Sequence, residues 1–467
     1  MNVPTAVFNV CDFGAKGDGI TVQTQAINEA IRRVSESGGG ELYFPSGTYL
    51  TGTIVLQSDV ILHLSAGARL RSTGEKRDYL PDEKTGISIF EGEENMSGAL
   101  VWGMGLKNVG LIGQGVLDGN GIRLTAGKDA CLYPEGRNHF AGLECGYYAR
   151  WRPLTLKLVD CENVTLKGIV LTNPASWNVG MIGCKDVFCV GLKIKSHNFY
   201  NGDGLDFCSC ERVFVSDCSF DCTDDCIALQ SAYPDKSCRN VQINNCYFKS
   251  LQAGIRVGMA CLGDFENIAV SNCIFEECAC SGLKIQQCES GKMENLLFRG
   301  LVMKNVARPF FFTHNAYECT AKRLRKEGGS EGRGTLKNVL ISDCILQNGK
   351  PYPNGGLIFD GEDGFELSDF IIEDVFYAFA GEEWKESGIG SLKGHRPEAD
   401  VYDGRVTGGV FFRNCKNFSV REMRVSCAGR SEGCYFLLEN CDGFRFRETN
   451  LSAGSLKTVG SENISIS

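Results

Sequence analysis

Proline is scarce, 11 residues in 467, and this beside 57 glycines fits neither a collagen-like helix nor a proline-rich disordered chain. No apolar run approaches 18 residues, so no membrane-crossing helix is expected. Residues Met1 to Gly19 carry neither a basic n-region nor an apolar h-region, and no secretory signal is read in the sequence as it stands. There is no excess of positive charge. The 48 basic and 57 acidic residues leave a net charge of −9, which argues against a nucleic-acid partner. A local basic groove for an acidic substrate remains compatible with that balance.

What is present is enough to fold. The apolar fraction of 43% and aromatic fraction of 10% can fill a large core, which excludes disorder. The 24 cysteines are too dilute for a small disulfide scaffold. Cys208-Ser209-Cys210 and Cys278-Ala279-Cys280 are CxC pairs and do not supply zinc-knuckle spacing. The expectation is a reduced, cytoplasmic protein whose thiols pack as small hydrophobes, with no metal and no cofactor.

Repeats decide the architecture. A short phrase recurs: a small or apolar residue, a charged residue, Asn or a near equivalent, then β-formers. It reads Leu106-Lys107-Asn108-Val109, Cys161-Glu162-Asn163-Val164, Cys184-Lys185-Asp186-Val187, Cys210-Glu211-Arg212-Val213 and Cys238-Arg239-Asn240-Val241. It continues as Phe265-Glu266-Asn267-Ile268, Met293-Glu294-Asn295-Leu296, Leu336-Lys337-Asn338-Val339, Cys415-Lys416-Asn417-Phe418 and Cys441-Asp442-Gly443-Phe444. From Cys161 the first steps are 23, 26, 28, 27 and 28 residues, the period of a solenoid. Each repeat holds β-branched runs with no room for a helix, so one repeat is one coil of an all-β parallel β-helix. Val164, Val187, Val213, Val241 and Ile268 should then stack in the interior, and the recurring cysteine should form a second ladder.

The chain is read as a single parallel β-helix domain over 1–467, with an N-terminal cap over about 1–50. Within the cap, Thr21 to Ser35 places Ala26, Ile27, Ala30, Ile31 and Val34 on one helical face. Asp18 or Thr21 is expected to cap this helix, and Gly38 to Gly40 to stop it. Wider repeat steps mark insertions: Gly121 to Arg150, the basic stretch Lys322-Arg323-Leu324-Arg325-Lys326, and Gly381 to Asp403. Long insertions in a solenoid gather on the binding face; a solvated loop is the plainer reading of the basic stretch.

Chemistry concentrates between residues 201 and 286. Asn201-Gly202-Asp203-Gly204-Leu205-Asp206 precedes Asp224-Asp225-Cys226 by about one coil, which puts Asp203 and the Asp224–Asp225 pair on one face of adjacent rungs. Crowded carboxylates repel, an arrangement kept mainly where function needs it. It suits glycoside hydrolysis, with one carboxyl protonating the leaving oxygen and another activating water. Ordinary turn aspartates and a calcium site are the other readings of the same spacing.

These motifs carry a resemblance. Asn201-Gly202-Asp203-Gly204-Leu205-Asp206 resembles the Asn-x-Asp-Gly-Ile-Asp motif of the polygalacturonase family, glycoside hydrolase family 28. Asp224-Asp225-Cys226-Ile227-Ala228 resembles its Asp-Asp-Cys-Ile-Ala motif, and Asp12-Phe13-Gly14-Ala15-Lys16-Gly17-Asp18-Gly19 resembles the opening of many pectin-acting β-helix proteins. The resemblance implies a right-handed parallel β-helix and hydrolysis that inverts the anomeric centre without a metal. By motif position, Asp224 would be the general acid, and Asp203 and Asp225 would hold and deprotonate the water.

Two family positions differ. Gln252 stands where a Gly-His-Gly motif carries histidine, and Lys284-Ile285-Gln286 replaces an Arg-Ile-Lys motif that grips the substrate carboxylate. Lysine for arginine keeps charge and loses the bidentate fork. Arg256, on the next outward position of the Gln252 strand, is a candidate to restore a cation. Asn201, Gln252, Arg256 and Lys284 are therefore the candidate substrate-binding residues. His197 is read as a turn residue and His63 as a packed one. Tyr147, Tyr148, Trp151, Trp177 and Trp384 are candidates for stacking on sugar faces.

The resulting expectation is an inverting, exo-acting hydrolase of pectin-derived or related acidic oligosaccharides, working on imported fragments. A non-catalytic glycan-binding or phage-tail-like β-helix is disfavoured by the three aspartates. A β-helix lyase is disfavoured by the lack of an evident Arg or Lys base beside them. The sequence leaves the oligomeric state open.

Overall fold

In the computed structural model, the described residues are 6–85, 89–90, 97–125, 151–196, 201–325, 334–349, 351–352, 354–380, 406–428, 435–451 and 454–467. They fall into two compact units, Met1–Ile227 and Ala228–Ser467. Each unit is built from short strands that pair in parallel with the strand one repeat away. A parallel pairing needs a crossover, and a right-handed one is favoured by the twist of the strands. Here the crossover is the rest of a coil, so the result is a right-handed parallel β-helix.

The N-terminal unit shows the pattern plainly. One coil runs through Glu162–Lys167, Val170–Thr172 and Val179–Ile182; the next runs through Lys185–Val190, Lys193–Ser196 and Leu205–Cys208. Val109, Val164, Val187 and Val213 stack in register and are buried. In the C-terminal unit, Val241, Ile268, Leu296, Val339, Phe370 and Phe418 form the equivalent interior ladder. Cys161, Cys184 and Cys210 are buried and follow one another on successive coils, as the cysteine ladder requires.

The third residue of the repeated phrase explains its composition. Asn108, Asn163, Asp186 and Arg212 have φ of 55°, 58°, 55° and 56°, and Asn240, Asn267, Asn295, Asn338 and Asn417 have φ of 56° to 62°. This is the left-handed region, which Asn tolerates because its short polar side chain bonds locally. Asn163 donates to Asn108, Asn267 to Asn240 and Asn295 to Asn267, each bond linking neighbouring rungs.

The cap helix differs in detail from the expectation. Helix α1 spans Thr24–Glu36, three residues later than the apolar pattern suggested, and its N-cap Gln23 makes no side-chain cap bond. Asp18 is spent elsewhere: its carboxylate accepts from the backbone of Ile20 and Thr21 and from the Thr21 hydroxyl, holding the preceding strand. Gly38 and Gly39, at φ 101° and 93°, do stop the helix, with Gly39 N–H donating to the Val34 carbonyl. Ile27, Ala30, Ile31 and Val34 are buried. His63 is not packed inside: its Nδ1 lies 2.9 Å from Glu41 Oε2 on the half-exposed face of Val60–Leu64.

Candidate active site

Asp203 precedes the strand Leu205–Cys208, and Asp224 and Asp225 precede the residues that open the next strand of that ladder. Both sites therefore lie at the turn where a coil enters its third strand. The backbone fixes their approach. Gly204 N–H donates to the Asp225 carbonyl at 3.0 Å, and Leu205 N–H to the Cys226 carbonyl at 3.0 Å. A Cβ on Gly204 would stand 2.3 Å from the Cys226 carbonyl oxygen and 2.9 Å from the Phe220 ring, so only glycine fits between them.

The three carboxylates meet. Asp203, Asp224 and Asp225 are all buried, and one carboxylate oxygen of each lies within 4.8 Å of the others. The sequence expectation of adjacent rungs and a common face is met for these residues. Oxygens within 4.8 Å lie closer than the roughly 6.5–9.5 Å usual for an inverting pair, so the expectation of inversion rests on the motif resemblance and not on this separation. Two oxygens 4.8 Å apart can still share one water through hydrogen bonds of about 2.8 Å.

Residues not singled out in the sequence complete the setting. Asn178, one rung below, clamps Asp203: its backbone N–H and its Nδ2 both donate to the Asp203 carbonyl, at 3.0 and 3.2 Å, and Nδ2 also donates to Ser196 Oγ. Buried Arg152 donates to Asn201 Oδ1 at 3.1 Å, and Asn201 itself sits at φ 50°. The usable signal was the run Asn173-Pro174-Ala175-Ser176-Trp177-Asn178, which ends 25 residues before Asp203.

The remaining candidates lie in the C-terminal unit. Gln252 is buried; its N–H donates to Ser250 Oγ and its carbonyl accepts from Cys280 and Ser281. Arg256 pairs in register with Lys284, and Lys284 with Phe311, so the two cations are neighbours on one row. Both are buried. Gln286 stands opposite Gly258, whose φ of 92° and closeness to the Gln286 carbonyl leave no room for a Cβ. Trp177 is buried against Phe90, and Trp151 donates its indole N–H to Asp82 while packing edge-on to Tyr79. In the basic stretch, Arg325 is tied to Glu289 and Glu318. His197, Tyr147, Tyr148, Trp384 and Lys326 lie outside the described residues, as does nearly all of the insertions at 121–150 and 381–403.

A family model of this site and scaffold matches residues 65–375, two thirds of the chain, under the description glycosyl hydrolases family 28. The chain belongs to glycosyl hydrolases family 28. A second model, rhamnogalacturonase A/epimerase, pectate lyase-like, matches residues 7–75. Among curated relatives, an exo-poly-α-D-galacturonosidase of Dickeya chrysanthemi is 25% identical over 73% of this chain and 63% of its own length. A probable polygalacturonase of Vitis vinifera is 26% identical over 66% of this chain and 62% of its own length. The chain thus spans somewhat under two thirds of these relatives. The exopolygalacturonase structure from Thermotoga maritima superposes with a TM-score of 0.65 at 23% identity, covering 81% of this chain and 88% of that one. At that identity the likeness shows the fold.

Proposed function

We propose that this family 28 chain is an inverting glycosidase that removes sugar units from the ends of pectin-derived acidic oligosaccharides. The observation that carries the reading is the cluster of Asp203, Asp224 and Asp225, buried together with oxygens within 4.8 Å. Asp224 donates its proton to the glycosidic oxygen as the bond to the anomeric carbon breaks. Asp203 and Asp225 hold a water between them, and one takes its proton as the oxygen attacks the opposite face of the ring. Burial excludes bulk water and sharpens each electrostatic contribution.

Asn201, Gln252, Arg256 and Lys284 are assigned to substrate binding. Arg256 and Lys284 support an anionic sugar, because neighbouring cations in one row favour a carboxylate. End-wise cleavage is supported by the exo-acting Dickeya relative. A reducing compartment, in which substrates would be imported fragments, is supported by the burial of nearly all the described cysteines, which suits thiols packed as small hydrophobes.

The test is a set of defined oligogalacturonides of increasing length, with products identified by mass and the first-formed anomer followed by NMR. Monomer or dimer release from long chains with inversion is expected. Retention, random internal cuts, or an unsaturated product absorbing in the ultraviolet would each overturn a named part of the reading.

A further inference from the structure

The second strand of each coil in the C-terminal unit carries an outward ladder. Tyr247 pairs in register with Ile274, Ile274 with Val302, Val302 with Ile345, Ile345 with Phe376, and Phe376 with Arg424. Four consecutive members are large, apolar and open to solvent: Ile274 is 49% exposed, Val302 42%, Ile345 47% and Phe376 41%. The interior already has its own residues from these strands, with Phe275, Met303, Leu346 and Tyr377 buried. Packing of the coil therefore does not call for the outward apolar row. The second-strand ladder of the N-terminal unit reads Thr48, Arg69, Val116, Val170, Lys193 and Ser219, with cations breaking the run. An uninterrupted exposed apolar row marks a contact surface.

We propose that this ladder is the contact face of a dimer of the chain. The two faces stack about a two-fold axis parallel to the strands, so the rungs run in opposite order. The sequence of the ladder reads as its own complement in that arrangement. Val302 meets the partner's Ile345, and Ile274 meets the partner's Phe376. Tyr247 meets the partner's Arg424, a cation over an aromatic ring. The Tyr247 hydroxyl already donates to Glu276 Oε2 at 2.7 Å, so that arginine also arrives beside a carboxylate.

The adjoining outward column agrees. It runs Glu276, Lys304, Gln347, Ala378 and Ser426 in register. With rungs reversed, Glu276 meets the partner's Ala378 and Lys304 meets the partner's Gln347, and no like charges face each other. The other two-fold stacking keeps the rungs in order and exchanges the columns. It would set Ile274 on the partner's Glu276 and Val302 on the partner's Lys304, burying unpaired charges against apolar groups, which disfavours that stacking. Six rungs at about 4.8 Å make a face about 24 Å long. That is below a standard interface, so the association is weak and reversible, with Kd of about 1–100 μM.

Sedimentation velocity of the full chain from about 1 to 500 μM tests this range. A concentration-dependent dimer is expected. Val302→Lys should raise Kd at least about 10-fold by burying an unpaired charge, and Ile345→Glu should do the same. The double variant, Val302→Lys with Ile345→Glu, should return Kd to near the parent value, because reversed rungs pair each lysine with a glutamate. Val170→Lys, on the N-terminal unit's ladder, should leave Kd unchanged. All three sites are surface positions, and far-ultraviolet circular dichroism checks that folding is retained in each of the four variants. A monomer at every concentration overturns the proposal, including one whose row binds a lipid vesicle or a different protein. So does a dimer indifferent to Val302→Lys. Failure of the double variant to recover overturns the reversed register.

Discussion

The backbone N–H of Asp225 donates to Oδ1 of Asp224 at 3.0 Å, so the consecutive carboxylates are held in one turn. Asp224→Asn keeps an accepting oxygen and replaces the carboxyl with an amide, which is far too weak an acid to give up a proton to the leaving group. Turnover should fall by about 10²- to 10⁴-fold. Asp203→Asn and Asp225→Asn should lose comparably if both serve the attacking water. Each change removes a buried like-charge neighbour, so urea midpoints should hold or rise. Full activity in Asp224→Asn would end the assignment of the acid.

The placement of these carboxylates was legible in the sequence because a solenoid converts sequence period into spatial adjacency. Once Cys161, Cys184 and Cys210 were recognised as one position on successive coils, Asp203 and Asp225 had to be neighbours. The same logic found the interior valines. It did not find Asn178 or Arg152, because their roles run through a carbonyl and a side-chain oxygen, with no motif of paired charges to flag them. The start of α1 departs from the sequence expectation for a local reason: Asp18 has the chemistry of a cap, but its carboxylate satisfies the N–H groups of Ile20 and Thr21 within its own turn. The alternation of Val60–Leu64 suggests a packed His63, but His63 occupies the outward phase of that alternation.

The scaffold's link to the site runs through Gly204. Gly204→Ala would press a methyl group against the Cys226 carbonyl at 2.3 Å and the Phe220 ring at 2.9 Å. Backbone must move, and it is the backbone that bonds Asp203's turn to Asp225's. A shift of about 1 Å in a catalytic group can cost about 10²-fold, so kcat should drop sharply. Overpacking of this kind costs roughly 1–3 kcal/mol of stability. Unchanged kcat in a folded Gly204→Ala protein would show that the rung contact does not set the carboxylate geometry.

The asparagine ladder makes a separate, structural prediction. Asn267 sits at φ 58°, donates to Asn240 at 3.0 Å and accepts from Asn295 at 3.2 Å. Asn267→Ala loses both bonds and meets the left-handed penalty, about 1–2 kcal/mol. Asn267→Gly keeps the backbone freedom and should cost distinctly less. Chemical denaturation of the two variants separates the contributions. Equal losses would mean the side-chain ladder, and not the dihedral, dominates.

The buried thiols predict how stability responds to alkali. Burial pushes the thiols of Cys184, Cys189, Cys288 and Cys415 well above the ordinary range, and that of Cys344 up to about 12. Cys161 is raised first by its hydrogen bond with Cys184 and then by burial. Cys273 runs the other way, lowered chiefly by a hydrogen bond with Cys246. In the unfolded chain a thiol titrates near 8.5. Below that pH both states hold the proton and the raised thiols exert no pH dependence. Above it the unfolded chain releases protons that the folded chain keeps. The unfolded state then binds fewer protons, and stability falls as pH rises. Each raised thiol contributes a slope of roughly 1.4 kcal/mol per pH unit until its folded pKa is reached. Five or six such groups outweigh Cys273, so the urea midpoint, measured with reductant present, should be nearly flat around pH 7, begin to fall near pH 8 and drop steeply between about pH 9 and 10.5. Cys344→Ala should remove one thiol's share of that slope while lowering stability at neutral pH through the space it leaves. A midpoint that stays level to pH 10.5 would mean the thiols ionise as easily in the folded protein as in the unfolded one, and the packing role assigned to them would fail.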